Sequence, residues 1–219
     1  MNLREEQIAS KNVFVGRMLH VQVDDVRLPD GREATRELVR HPGAAAVVPV
    51  LPDGRIVLVR QFRYPLGRET LEIPAGKLEP GEDPQECVLR ELQEEAGYKA
   101  EVIKHLSTIC TAPGFTDEVI HLYEASQLQP SQLQPDDDEF LQVQVFTPEE
   151  IRKMIHSAAT EISTLTLPHP LPIFGPRVLG APLELLDRPP VDFRPSSANI
   201  LMAFRTSICL SCKIGRAHV

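Results

Sequence analysis

The spacing of apolar positions divides the chain before any chemistry is considered. Residues 44–51 and 55–62 are two nearly continuous apolar runs joined by Pro52-Asp53-Gly54, whose proline and glycine suit a tight turn. Runs with so little polar interruption predict strands buried on both faces. Upstream, residues 13–15, 18–26 and 36–40 mix apolar, β-branched and polar positions, with Leu28-Pro29-Asp30-Gly31-Arg32 as a turn between the last two. They predict a small antiparallel sheet with too few large apolar residues for a core of its own. Residues 70–73, 101–111, 118–125 and 140–146 predict further strands. Helical spacing occurs twice. Asp83 as N-cap, Pro84 in the first turn and Glu86 reaching back to the cap open a helix that Gly97 closes, with Val88, Leu89, Leu92 and Ala96 as its apolar stripe. Thr147-Pro148-Glu149-Glu150 is a capping box that opens a second helix, predicted to run to about residue 156.

The polar face of the first helix is unusual. Glu91, Glu94 and Glu95 are spaced i, i+3, i+4, so three carboxylates project within about a third of the helix circumference. Like charges so placed cost roughly 0.2–0.5 kcal/mol per pair on an isolated helix. Arg90 alone is close enough along the helix to offset them. A solvated acidic face is the ordinary outcome of such a cluster. Here a glycine-flanked loop turns back onto it, and gathered hard oxygen donors suit Mg²⁺ or Mn²⁺ completed by substrate phosphates.

The full stretch reads GKLEPGEDPQECVLRELQEEAGY, with Gly76, Glu82, Arg90-Glu91-Leu92, Glu94-Glu95 and Gly97 at fixed spacings. It resembles the Nudix box, departing softly at Tyr98, where the family more often has an aliphatic residue. The resemblance implies an α/β (α+β) fold, a Nudix-type α/β/α sandwich with a mixed β-sheet, carrying a small N-terminal antiparallel β region. It also implies a loop–helix–loop that binds divalent metal and hydrolyses a nucleoside diphosphate linked to another group. On that basis Glu91 and Glu95 are expected as metal ligands, with Glu94 and the Ala75 carbonyl assisting. Gly76, Glu82, Arg90 and Gly97 would be structural, Glu82 bonding Arg90 rather than metal.

Two further stretches resemble the ADP-ribose pyrophosphatase subgroup. One is Gln61-Phe62-Arg63; the other is Pro113-Gly114, 16 residues past Gly97. Arg63 suits bidentate recognition of an oxyanion, and a surface pair with Glu69 or Glu72 is the alternative. Arg40, Arg63, Pro113 and Phe115 are the candidate substrate contacts, although Phe115 also suits a core cover. In this enzyme class an acidic loop beside the box helix commonly carries the general base. The run Asp136-Asp137-Asp138-Glu139 offers Glu139 first and Asp136 second, with Glu94 also counted as catalytic. The implied reaction is Mg²⁺-dependent hydrolysis of ADP-ribose to AMP and ribose 5-phosphate. A nucleotide-sugar pyrophosphatase and a non-catalytic nucleotide-binding module are the rivals, the latter disfavoured by the intact glutamate set. Family members of this kind complete their site with an N-terminal β region on a second subunit, so a homodimer is expected.

The 219 residues carry a net charge of −8, which argues against a general nucleic-acid binder. No apolar run approaches a membrane span, the first ten residues are too charged for a signal peptide, and four cysteines without framework spacing fit a reducing compartment. A cytoplasmic protein is expected. Residues 1–43 read as the N-terminal β region, 44–156 as the hydrolase domain, and 157–219 as a proline-rich irregular tail with eight of the chain's 20 prolines between Pro168 and Pro195. The tail ends in Ile214-Gly215-Arg216-Ala217-His218-Val219, which resembles translated adapter sequence, so a loss of frame near residue 157 is expected. Within it, Cys209 and Cys212 are a lone C-x-x-C, weak as a zinc signal. The short repeat at residues 127–135 is expected to be a loop.

Overall fold

The computed structural model describes residues 2–135 and 139–164. Its strands are β1 (Glu6–Val15), β2 (His20–Arg27), β3 (Glu33–Arg40), β4 (Ala44–Pro49), β5 (Ile56–Arg63), β6 (Arg68–Glu72), β7 (Ala75–Lys77), β8 (Tyr98–Cys110), β9 (Val119–Pro130) and β10 (Leu141–Phe146); its α-helices are α1 (Pro84–Ala96) and α2 (Pro148–Thr164). β1, β2 and β3 form one antiparallel sheet, turned at residues 28–32 as expected by Leu28 N–H donating to the Arg32 carbonyl (2.8 Å). A second sheet has the order β10-β5-β6. The third has the order β7-β4-β9-β8 and is mixed, because β4 pairs parallel with β9 and antiparallel with β7.

β4 is buried along its whole length, and its period-2 geometry explains why every residue is apolar. Ala45 and Val47 face one cluster with Val57 of β5 and Cys87, Val88, Leu92 and Ala96 of α1. Ala46 and Val48 face the other, with Ile56 and Leu58 of β5 and Ile151 of α2. The sheets therefore lie between two helices, which is the α/β/α sandwich. Burying each valine, leucine or isoleucine contributes about 1.5–3 kcal/mol. No helix among the described residues is long and apolar enough to cross a membrane.

Several elements differ from the sequence expectation, each for a physical cause. Leu89 is 36% exposed and lies off the stripe; the buried face of α1 instead includes Cys87, Glu91 and Glu95. Residues 127–130 are strand rather than loop. β9 continues because Lys99 and Tyr98 of β8 pair with Gln129 and Pro130, and Leu128 is buried in the core. The short strand β7 is held by Ala45↔Gly76 and Ala46↔Ala75 pairing that local pattern could not reveal. The second helix opens with the expected reciprocal cap, Thr147 N–H to Glu150 Oε2 (2.7 Å) and Glu150 N–H to Thr147 Oγ1 (3.3 Å). It then runs to Thr164, past the expected helix end near residue 156, since no glycine or proline occurs from residue 157 to 164 to stop it. The remaining tail expectations, including the cysteine pair, concern residues 165–219 and lie outside the described residues.

Candidate active site

α1 is placed by its ends. Asp83 Oδ1 accepts the Gln85 N–H (2.8 Å), and Gly97, in the left-handed conformation (φ 72°), donates its N–H to the Gln93 carbonyl (3.0 Å). With the helix so fixed, Glu91 and Glu95 point inward at β7 and are only 8% and 3% exposed. The approach is possible because residue 76 has no side chain. A Cβ on Gly76 would stand 1.8 Å from Glu91 Oε1 and 2.0 Å from its carboxyl carbon. One residue earlier, Ala75 N–H donates to Glu95 Oε2 (2.9 Å).

Arg90 ties the loop before α1 to the acidic face. Its Nε and Nη2 bond the two oxygens of Glu82 (3.0 and 3.1 Å), and its Nη1 bonds Glu91 Oε1 (2.7 Å) and Glu94 Oε2 (3.0 Å). Glu82 also accepts the Glu79 N–H (2.8 Å), which gives it the expected fixing contacts. The Arg90 guanidinium holds the Glu82 carboxyl below its usual range. Cys87, buried beside this network, has its thiol pushed up by burial to about 12.

Burial dominates the other two carboxyls. It raises Glu91 despite Arg90 beside it, and pushes Glu95 up to about 8 despite the Ala75 N–H. In a chelator-treated sample the folded chain thus keeps a proton on Glu95 that the unfolded chain releases near pH 4.5. The resulting stability is complete below pH 4.5 and is lost as pH rises through about 8. The midpoint of thermal unfolding in chelator should fall between pH 5 and 8, and Glu95→Gln should flatten that slope. A Glu95→Gln chain with the wild-type slope would show that Glu95 is not the group responsible.

Glu91 opens onto a cleft of about 1110 Å³, with Glu95 buried behind it one helical turn on. The cleft lining includes the carboxylates of Glu91, Glu94 and Glu139 and the guanidinium groups of Arg17, Arg40 and Arg63. Glu139 is therefore brought to the box helix from far along the chain, while Asp136 lies outside the described residues. Arg63 pairs bidentately with Glu72 (3.0 and 2.7 Å), the expected alternative partner, and also lines the cleft. Arg40 lines the cleft too, its Nε on Gln22 Oε1 (2.9 Å) and Nη1 on Asp117 Oδ2 (3.1 Å). Pro113 and Phe115 are not among the cleft-lining residues; Phe115 is exposed, and its carbonyl accepts the Val39 N–H (2.7 Å). Sequence reading missed Arg17, in the β1–β2 turn, and His20, at the start of β2, which line the cleft and carried no motif signal.

Among the described residues no three His, Cys, Asp or Glu side chains converge into a ready-made metal cage. Arg90 stands between Glu91 and Glu94 as the local cation. The donor set nevertheless fits a hard divalent cation, since Glu91 and Glu95 offer carboxylate oxygens and a cation would favour the charged forms that burial disfavours.

A NUDIX domain model matches residues 39–165. The chain belongs to the Nudix family. It is 44% identical to an ADP-ribose pyrophosphatase of Bacillus subtilis (strain 168) over 158 residues, which cover 71% of this chain and 85% of that one. It is 46% identical to a methanol dehydrogenase activator of Bacillus methanolicus over 153 residues, covering 69% and 83%. Its fold matches a crystal structure of an ADP compounds hydrolase with a TM-score of 0.64 at 22% identity, covering 71% and 85%. That likeness supports the mixed α/β fold.

Proposed function

We propose that this Nudix chain hydrolyses the pyrophosphate of ADP-ribose to AMP and ribose 5-phosphate, with Mg²⁺ as its cation and Mn²⁺ as a substitute. The observation that carries the reading is a buried Glu91–Glu95 pair packed against Ala75 and Gly76, with Glu91 opening onto a cleft that Arg17, Arg40 and Arg63 also line. The 44% identical relative named above, an ADP-ribose pyrophosphatase, supports this substrate.

Glu91 and Glu95 would hold the cation, with Glu94 and the Ala75 carbonyl completing the protein's share of the oxygens. The bound cation would offset diphosphate charge and lower the pKa of the attacking water. The residues of the chain do the rest. Glu139, in the same cleft, is the base that takes the water's proton. Arg63 and Arg40 orient the diphosphate, and positioning supplies much of phosphoryl-transfer catalysis. Arg63 is oriented in turn by Glu72, whose carboxyl burial pushes up but Arg63 and Thr70 draw down below its usual range. A second copy of the chain is the partner this reading expects. β1 is exposed along all ten residues and displays Ile8, Val13, Phe14 and Val15; sedimentation as a single chain at micromolar concentration would remove the dimer.

The test is product analysis. ADP-ribose with Mg²⁺ should give AMP and ribose 5-phosphate in equal amounts, faster than UDP-glucose or GDP-mannose are cleaved. A clear preference for either sugar nucleotide would replace the substrate while leaving the Nudix chemistry in place.

A further inference from the structure

The loop singled out by Pro113 has a mechanical role that its sequence did not disclose. Residues 111–118 do not line the cleft, yet they are bonded at successive points to the segment that does. Val39 N–H donates to the Phe115 carbonyl (2.7 Å), and Asp117 N–H donates to the Val39 carbonyl (3.4 Å). Asp117 Oδ1 accepts the His41 N–H (2.9 Å), while its Oδ2 accepts from Arg40 Nη1 (3.1 Å). Next to it, Glu118 accepts from Thr111 Oγ1 (2.6 Å) and lies 3.5 Å from His41 Nδ1. One carboxylate therefore holds both the backbone of residue 41 and the guanidinium of residue 40, and Arg40, His41 and Pro42 all line the cleft. Burial pushes the Asp117 carboxyl up, but the His41 N–H and Arg40 outweigh it and hold it below its usual range.

We infer that Asp117 is a positioning residue for substrate binding: it fixes Arg40 and the residue 40–42 segment against the cleft and touches no substrate itself. The inference rests on the proposed reaction in that a nucleoside diphosphate occupies the cleft and meets Arg40. Gln22 bonds Arg40 Nε, and Asp24 lies 3.9 Å from Arg40 Nη2, so Arg40 keeps other neighbours without Asp117. What it loses is the contact that aligns the fork with the main chain of His41. A guanidinium free to rotate forfeits binding that is uniform between ground and transition state, which raises KM and spares kcat.

The test is a double-mutant cycle of Asp117→Ala and Arg40→Ala on the full chain, read on whichever nucleoside-diphosphate compound the wild type turns over best. Asp117→Ala should raise KM about tenfold with kcat within about twofold. In the Asp117→Ala background, Arg40→Ala should cost less than half its effect in the wild type, because contacting residues are non-additive. Asp117→Asn, which keeps an acceptor for the His41 N–H, should recover part of the loss. A purely structural role would instead lower soluble yield and the melting temperature and leave KM unmoved. An unchanged KM, or strictly additive effects, overturns the inference. A wild type that cleaves another diphosphate but not ADP-ribose sinks the substrate reading alone, and the cycle is then decided on that other compound.

Discussion

Gly76→Ala is expected to abolish most activity while Gly114→Ala leaves it unchanged. The two substitutions add the same methyl group, so the contrast isolates what that group meets. At residue 76 it would stand 1.8 Å from Glu91 Oε1, and the strand pairing with Ala45 leaves β7 little freedom to retreat. Glu91 must then swing away, taking with it the Arg90 Nη1 contact (2.7 Å). Overpacking of this kind costs about 1–3 kcal/mol in stability, and displacing the carboxylate proposed to hold the cation should cost at least about 10²-fold in kcat. At Gly114 nothing lies within 4 Å of the added carbon. Steady-state rates with saturating Mg²⁺ check both; an active Gly76→Ala chain would mean that Glu91 is not held where the reaction needs it.

The larger effect belongs to the double substitution Glu91→Gln with Glu95→Gln. Both side chains are buried, so charge is removed at nearly constant volume, and the new amide oxygen at position 95 can still accept the Ala75 N–H. The fold should survive, and in chelator at pH 8 it should melt no lower than the wild type, because the ionised carboxyls are what burial disfavours. Catalysis should fall by about 10³-fold or more, since the cation's several kcal/mol of transition-state stabilisation would be lost at about 1.4 kcal/mol per decade. Loss of rate without loss of melting temperature is the signature sought. Loss of both would show that the carboxylates serve the fold.

The sequence made the helix and its caps legible because each signal there is local: Asp83, Pro84 and Gly97 act on their own turn, and the spacing of three glutamates is fixed by helix geometry. The central strands were legible for a similar reason, since burial on both faces leaves no polar positions in β4. What was not legible depends on distant pairing. β7 is a strand only because β4 lies beside it, and the low-complexity end of β9 is ordered by β8. Leu89 looked like core by periodicity, yet the buried face rotates toward Glu91 and Glu95, whose presence inside no hydrophobic pattern would predict. Arg17 and His20 reach the cleft from the turn and the strand start of a separate sheet, and Asp117 acts through main-chain bonds 76 residues from His41.

Binding of Mn²⁺ in the presence of ADP, followed by electron paramagnetic resonance, bears most directly on what the acidic face of α1 is for. The wild-type chain should remove the free-ion signal in a saturable way, and the Glu91→Gln, Glu95→Gln chain should leave it as it is in ADP alone. Equal depletion by the two would contradict the account, because the cation would then be held elsewhere.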